Sequence, residues 1–150
     1  MRDAPAGPRS RWRVAGAVAV GVVLAAAVVL RFLAPTALWL DEAQSVAIAR
    51  SDLPGLYRGL RADGAPPLYY LLLHGWTAVF GQGAVAVRAL SGLFGVAALP
   101  LAYLLGARLG GRWAGWALVL LLATNPFAIR YSSETRMYSL VVLLVLLALL

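Results

Sequence analysis

The chain has no cysteine, no lysine and only six acidic residues among 150. Without cysteine there is neither a disulfide framework nor a thiolate metal site. Charge of either sign is scarce: charged residues make up 13% and hydrophobic ones 62%, whereas a soluble domain averages about a quarter and about half. Water is therefore not the main solvent of this chain. The net charge of +7 rests wholly on thirteen arginines, which are scattered between apolar runs rather than gathered on one element. That distribution suits juxtamembrane anchoring and argues against nucleic acid as a partner. Also missing are a Gly-rich phosphate loop, a nucleophile elbow and a zinc-ligand pattern, so nucleotide-sugar, hydrolase and protease readings have no support. There is no internal repeat, heptad or low-complexity linker.

What the sequence does have is long apolar runs. A bilayer core about 30 Å thick needs about 20 helical residues. Residues 1–13, with Arg2, Arg9, Arg11 and Arg13, read as a disordered, cytoplasmic basic tail, and residues 14–33 as the first transmembrane helix, with Arg31 able to snorkel at its far end. The run is long and lacks a clear small-x-small site, so an uncleaved anchor is expected rather than a signal peptide. Residues 89–107 form the second span and 113–129 the third, joined by a cytoplasmic turn at 108–112. The final run, 139–150, would rise only about 18 Å as a helix. It reads as the start of a fourth span, and the chain as the N-terminal fragment of a larger polytopic protein.

The segment Leu68 to Phe80 decides the topology. Tyr70, His74 and Thr77 share one helical face, while Leu68, Leu72, Trp76 and Val79 share another. A short, amphipathic, aromatic-rich helix belongs at the membrane interface. Leaving Arg31 aside, a spanning reading places seven arginines inside and five outside, against six and six for the interfacial one, so the positive-inside rule mildly favours a span. Length and amphipathicity favour the interface. Residues 34–88 are then one outer loop with juxtamembrane helices, and 130–138 a second outer loop. Asp41, Glu42 and Glu134 share a side, and the single histidine, His74, is an interfacial ring rather than a ligand.

Asp3 lies in the tail, and Asp52 and Asp63 sit beside Pro54-Gly55 and Gly64, where turn chemistry accounts for them. Asp41-Glu42 follows Ala37-Leu38-Trp39-Leu40 directly, at a depth where ionised carboxylates are costly. Asp41 could cap a helix through Arg50, could do chemistry, or both. Adjacent helical residues point about 100° apart, so Asp41 and Glu42 are not expected to share one task. Glu134 lies in Arg130-Tyr131-Ser132-Ser133-Glu134-Thr135-Arg136-Met137-Tyr138. Ser132 or Ser133 could cap a helix there, with Glu134 in its first turn. A carboxylate, two guanidiniums and two phenols beside a bilayer can also hold a lipid phosphate and a sugar. A divalent cation held by Asp41, Glu42 and Glu134 is chemically open, because hard cations take oxygen ligands, but no dense carboxylate cluster with ligand spacing is visible.

Five motifs in order, Leu38-Trp39-Leu40-Asp41-Glu42-Ala43, Pro66-Pro67-Leu68-Tyr69-Tyr70, Phe80-Gly81 with Ala86-Val87-Arg88, Leu109-Gly110-Gly111-Arg112 and the Arg130 to Tyr138 stretch, resemble the family 39 glycosyltransferases. These include bacterial relatives of the protein O-mannosyltransferases and the lipid A aminoarabinose transferases. The resemblance implies an all-α, polytopic GT-C fold in the cytoplasmic membrane with an extracytoplasmic active face. It implies transfer, with inversion, of a mannose-like or other hexose or pentose from a polyprenyl-phosphate donor to a lipid, glycan or protein acceptor. Asp41 occupies the position of the family's catalytic carboxylate and Glu134 matches the second acidic motif. Arg136 and Arg130 are expected at the phosphate, with Glu42, Tyr138 and Tyr69 as further substrate contacts. Relatives often have His before the Pro-Pro pair, where this chain has Ala65. By itself the 150-residue chain is expected to be inactive. The rival classes are a transporter or flippase module, whose relay acids would lie inside a span near the midplane, and a non-catalytic scaffold whose acids only cap helices.

Overall fold

The structure, a computed structural model, describes residues 8–33 and 37–150. The first seven residues of the expected tail, Asp3 included, and residues 34–36 lie outside the described residues. Seven helices and no strand are found among the described residues: α1 (Pro8–Leu30), α2 (Leu40–Arg50), α3 (Leu53–Asp63), α4 (Pro67–Phe80), α5 (Ala84–Thr124), α6 (Pro126–Ser132) and α7 (Tyr138–Leu149). The expected tail is shortened, because α1 already begins at Pro8, where a fixed φ and a missing N–H suit the first helical position.

Among the described residues, the long element α5 is the one helix long and apolar enough to cross a membrane by length and composition; the apolar stretches Val14–Leu30 and Tyr138–Leu149 are shorter. It is not straight. Gly110 (φ −148°, ψ 21°) and Gly111 (φ 76°, ψ −176°) are non-helical, and Gly111 takes the left-handed φ that a side chain would resist. Beyond them the chain doubles back. A Cβ on Gly106 would lie 2.7 Å from the Ala114 carbonyl oxygen, and one on Gly115 would lie 2.8 Å from that of Tyr103. Small residues thus let the two arms, 84–109 and 112–124, touch backbone to backbone, as small residues do between membrane helices. Tyr103 and Trp116 close the crossing with ring centroids 5.3 Å apart.

The expected third run, 113–129, is divided. Asn125 leaves the helical region (ψ 119°) because Pro126 follows it, and its side chain then accepts from the Phe127 and Ala128 amides to start α6. The helix expected to start at Ser132 or Ser133, with Glu134 in its first turn, does not form there: Ser132 is the last residue of α6, and α7 follows only after Met137. Glu134 lies after α6, in the link to α7.

The helices of the 37–83 region form a small cap on one end of α5 and α7. Its core joins Val46, Ile48 and Ala49 of α2, Leu56 and Leu60 of α3, and Tyr69, Tyr70 and Leu73 of α4 to Val87, Leu90 and Leu140. Asp52 caps α3 by accepting from the Gly55 amide at 2.9 Å. Asp63 does more than make a turn: it accepts from Gln44 Nε2 at 2.8 Å and from the Tyr70 hydroxyl at 3.2 Å, tying α3 to α2 and α4. Helix α4 turns its polar face inward, with His74 Nδ1 2.7 Å from the Ala49 carbonyl oxygen. Its apolar side, Leu68, Leu72, Val79 and Phe80, is exposed. That orientation is the reverse of a water-facing helix.

Candidate active site

Glu42 holds the site together from below. It is 1% exposed, and Arg88 grips it with Nε to Oε1 at 2.9 Å and Nη2 to Oε2 at 2.6 Å. The Thr135 amide donates to Oε1 at 2.8 Å and the Trp39 amide to Oε2 at 3.0 Å. Four donors fill the acceptor positions of a carboxylate. Burial alone would raise the Glu42 pKa, but the Arg88 hydrogen bonds, the Thr135 and Trp39 amides and the Arg88 charge together hold it below the ordinary glutamate value. Arg88 also donates to the Ala37 carbonyl at 3.1 Å. One buried carboxylate thus joins the start of α2, the start of α5 and the 133–137 link, regions far apart in sequence.

Above this clasp lies a cleft of about 340 Å³ lined by Trp39, Leu40, Asp41, Glu42, Arg130, Tyr131, Glu134, Arg136 and Tyr138. Asp41 stands at its edge with its side chain 71% exposed, and Arg136 Nη2 approaches its Oδ2 to 4.0 Å. Helix α2 has Trp39 as its N-cap residue, so Asp41 sits inside the first turn. There the helix dipole favours its charge, but no backbone amide among the described residues bonds its carboxylate. The helix-cap role expected as an alternative for Asp41 passes instead to Glu42, which reaches back to the Trp39 amide.

Glu134 pairs with Arg130, Nε to Oε1 at 3.0 Å. The Arg136 guanidinium lies 5.9 Å from the centroid of the Tyr138 ring. Burial disfavours the Arg136 charge, but the Tyr138 contact and the nearby Tyr70 and Asp41 outweigh it and raise its pKa. Tyr131 and Tyr138 are in ring contact at 4.6 Å and form an aromatic wall. The arrangement offers an exposed carboxylate, a cation beside it, an ion pair at the rim and two phenols.

Of the residues expected at the site, Asp41, Glu134, Arg130, Arg136 and Tyr138 come together. Glu42 lines the same cleft, but its carboxylate is fully engaged in the clasp rather than presented to a substrate. Tyr69 is elsewhere: it is 1% exposed, its hydroxyl lies 2.8 Å from Ser91 Oγ, and burial, ahead of other causes, pushes its pKa up. Trp39 and Tyr131 line the cleft, and only their place inside the motifs marked them. Arg88 was visible as part of Ala86-Val87-Arg88, but its partner, 46 positions away, leaves no local signal. Among the described residues no three His, Cys, Asp or Glu side chains converge to hold a metal ion, so the cation site considered for Asp41, Glu42 and Glu134 is not assembled.

Residues 64–150, more than half of the chain, match the family described as dolichyl-phosphate-mannose-protein mannosyltransferase. The matched part contains Glu134 and Arg136 but not Asp41. No curated protein and no solved structure matches the chain.

Proposed function

Because the chain belongs to the dolichyl-phosphate-mannose-protein mannosyltransferase family, which makes it a membrane glycosyltransferase of the GT-C type, we propose that it transfers a sugar from a polyprenyl-phosphate donor with Asp41 as general base. The observation that carries this reading is the meeting of Asp41 with Arg136 at 4.0 Å across one cleft. In the step, Asp41 takes the proton of the acceptor hydroxyl as its oxygen attacks the anomeric carbon. The bond from that carbon to the phosphate oxygen breaks on the opposite face, the electron pair leaves with the lipid phosphate, and the configuration inverts. Arg136, with Arg130 at the rim, stabilises the departing phosphate, and Glu134 orients Arg130 and the acceptor. A group that takes a proton must reach its substrate, and the exposed Asp41 carboxylate does so where the enclosed Glu42 does not.

In this reading the apolar part of α1, the arms of α5, and α7 lie in the cytoplasmic membrane as a polytopic bundle, and α2 to α4 with the cleft face outward. The outward apolar side of α4 supports an interfacial position. Asp41 and Glu134 lie in α2 and in the α6–α7 link, away from the apolar arms, which favours transfer chemistry over a relay acid in a transporter. The acceptor is a lipid, glycan or protein hydroxyl.

Transfer from a labelled polyprenyl-phosphate sugar by the full-length protein tests the mechanism, with Asp41→Asn expected to lower it by about 10²- to 10⁴-fold. Undiminished transfer by that variant refutes the assignment. Single cysteines at Arg61, Gln82 and Leu109, probed with an impermeant thiol reagent in intact cells, test the sidedness. Labelling at 61 and 82 but not at 109 is expected, and labelling at 109 alone overturns the topology.

A further inference from the structure

Trp39 stands two residues before Asp41, and its backbone is pinned by the same clasp. Its amide donates to Glu42 Oε2 at 3.0 Å, and its carbonyl accepts from the Ala43 amide at 2.9 Å. The residue is nevertheless 63% exposed and lines the cleft. Other indoles are engaged: Trp76 Nε1 donates to the Ala86 carbonyl at 2.7 Å, Trp116 meets the Tyr103 ring at 5.3 Å, and the Arg112 guanidinium lies 4.9 Å from the centroid of the Trp113 ring. The tyrosines of the cleft are engaged as well. Tyr131 contacts Phe127 and Tyr138, with ring centroids 6.4 Å and 4.6 Å away, and Arg136 lies over Tyr138. Among the described residues the Trp39 indole has no ring, cation or hydrogen-bond partner, so it offers the cleft an uncovered aromatic face.

The charges around the cleft show what that face can do. Glu42 is matched by Arg88 and Glu134 by Arg130, whereas Asp41 meets Arg136 only at 4.0 Å. Arg31, expected to snorkel, lies buried behind the tyrosine pair. It is 1% exposed, its terminal nitrogens donate to the Ala27, Ala123 and Leu122 carbonyls, and Tyr131 and Tyr138 wall its cavity too. It adds a further guanidinium to that side. In the transfer proposed above, the bond to the departing phosphate lengthens ahead of the new bond, so positive charge grows on the anomeric carbon and the ring oxygen. The departing phosphate carries the new negative charge toward Arg136. In the same step Asp41 takes a proton and loses its own charge. The sugar cation thus forms among guanidiniums just as the Asp41 carboxylate is neutralised.

The geometry points to Trp39 as a further catalytic residue, whose indole face lies against the sugar ring and stabilises this transient cation. The face of an aromatic ring is the negative end of its quadrupole, and among aromatic side chains indole attracts a cation best. The attraction is small while the sugar is neutral and grows as the charge develops, so it acts on turnover rather than on donor binding. An indole carries no net charge and no basic site, so it leaves the phosphate to Arg136 and the proton to Asp41. This inference rests on the proposed function, because it needs the sugar cation of that reaction.

The test replaces Trp39 in the full-length protein, by amber suppression, with mono-, di- and tetrafluorotryptophan. These keep the shape of the ring while drawing electron density from its face. Turnover is measured with radiolabelled polyprenyl-phosphomannose in membrane vesicles of the host, which supply the endogenous acceptor. The kcat is expected to fall stepwise with each added fluorine, by about 10-fold at the tetrafluoro ring, while the donor KM stays within about twofold. Trp39→Leu should fall at least as far as the tetrafluoro ring, and Trp39→Phe less far. Should Trp39→Leu fail to fold, the fluorinated series still decides, because its members differ only at the ring edge. Equal kcat across the series overturns the inference, because an apolar wall or a tryptophan anchored at the membrane interface does not depend on the charge of its face. So does a series that moves the donor KM and leaves kcat unchanged, which would make Trp39 a platform for the neutral sugar only. A falling series together with undiminished transfer by Asp41→Asn would sustain the indole and refute the base, whereas no transfer by the wild type would refute both.

Discussion

Asp41 and Glu42 are neighbours in sequence with opposite fates. A single residue step, about 100° around the helix, points Glu42 inward, where Arg88 and two backbone amides enclose it, and leaves Asp41 at the mouth of a cleft with a cation 4.0 Å away. The first arrangement is worth having only if it never changes. The second is useful only if something can displace solvent and reach the carboxylate. In the proposed reading one acidic dipeptide supplies both a structural anchor, Glu42, and a reactive group, Asp41, the anchor fixing the backbone from which Asp41 projects.

Changing the acids one at a time gives the strongest way to break this contrast. Asp41→Asn is expected to lower turnover in the full-length protein by about 10²- to 10⁴-fold, the usual contribution of a positioned base. Because its carboxylate caps no helix among the described residues, Asp41→Ala should fold as well as the wild type, and its melting temperature in detergent checks this. A melting temperature that collapses in Asp41→Ala would show that the exposed acid is structural after all.

Glu42→Gln should act on the fold. Removing one partner of a buried ion pair costs about 3–5 kcal/mol, so urea or thermal unfolding of the variant should show a large loss. Any residual folded fraction should still transfer sugar. A stable but inactive Glu42→Gln protein would exchange the roles assigned to the two residues.

A smaller effect sharpens the same point through pH. The Glu42 pKa is lowered on folding, so the unfolded chain binds the proton more readily, and the stabilisation is present above the unfolded value of about 4.3 and is lost as pH falls through the lower folded value. Urea midpoints should therefore hold between pH 7 and about 5 and drop below that, and the acid-dependent part should vanish in Glu42→Gln. The smallest change is expected from Tyr69→Phe. It removes a hydroxyl bonded to Ser91 Oγ, should cost about 1 kcal/mol, and should leave the donor KM unaltered, because Tyr69 does not line the cleft.

The all-helical class and the apolar stretches were legible in the sequence, since apolar runs and their breakers are local signals. The break at Gly110–Gly111 lies inside the motif that marked the turn, and the face pattern of α4 was readable before its packing was known. The division of the third run at Asn125 was obscured because apolar residues continue past Pro126; the backbone clash before proline decides it, and hydropathy does not record that clash. At the candidate site, Asp41, Glu134, Arg130, Arg136 and Tyr138 were singled out by residue chemistry and motif order, and the structure brings them to one cleft. Glu42, Tyr69 and Arg31 were given exposed roles because nothing local shows that Arg88, Ser91 and the Leu122 and Ala123 carbonyls lie opposite them. Buried polar partners separated by 22 to 92 positions are contacts of the fold, and periodicity carries no trace of them.

At Gly106 and Gly115 the two arms of α5 approach so closely that a methyl group on either would lie within 2.8 Å of the opposing backbone. A slip of one residue would set Ala107 or Ala114 in a slot that admits only hydrogen. The crossing therefore acts as a ruler. Counted from it, chain length alone fixes how far along the hairpin the Leu122 and Ala123 carbonyls fall, and with them the height at which Arg31, α6 and the tyrosine wall are set. The depth of the cleft is thus inherited from the register of two glycines that never touch its contents.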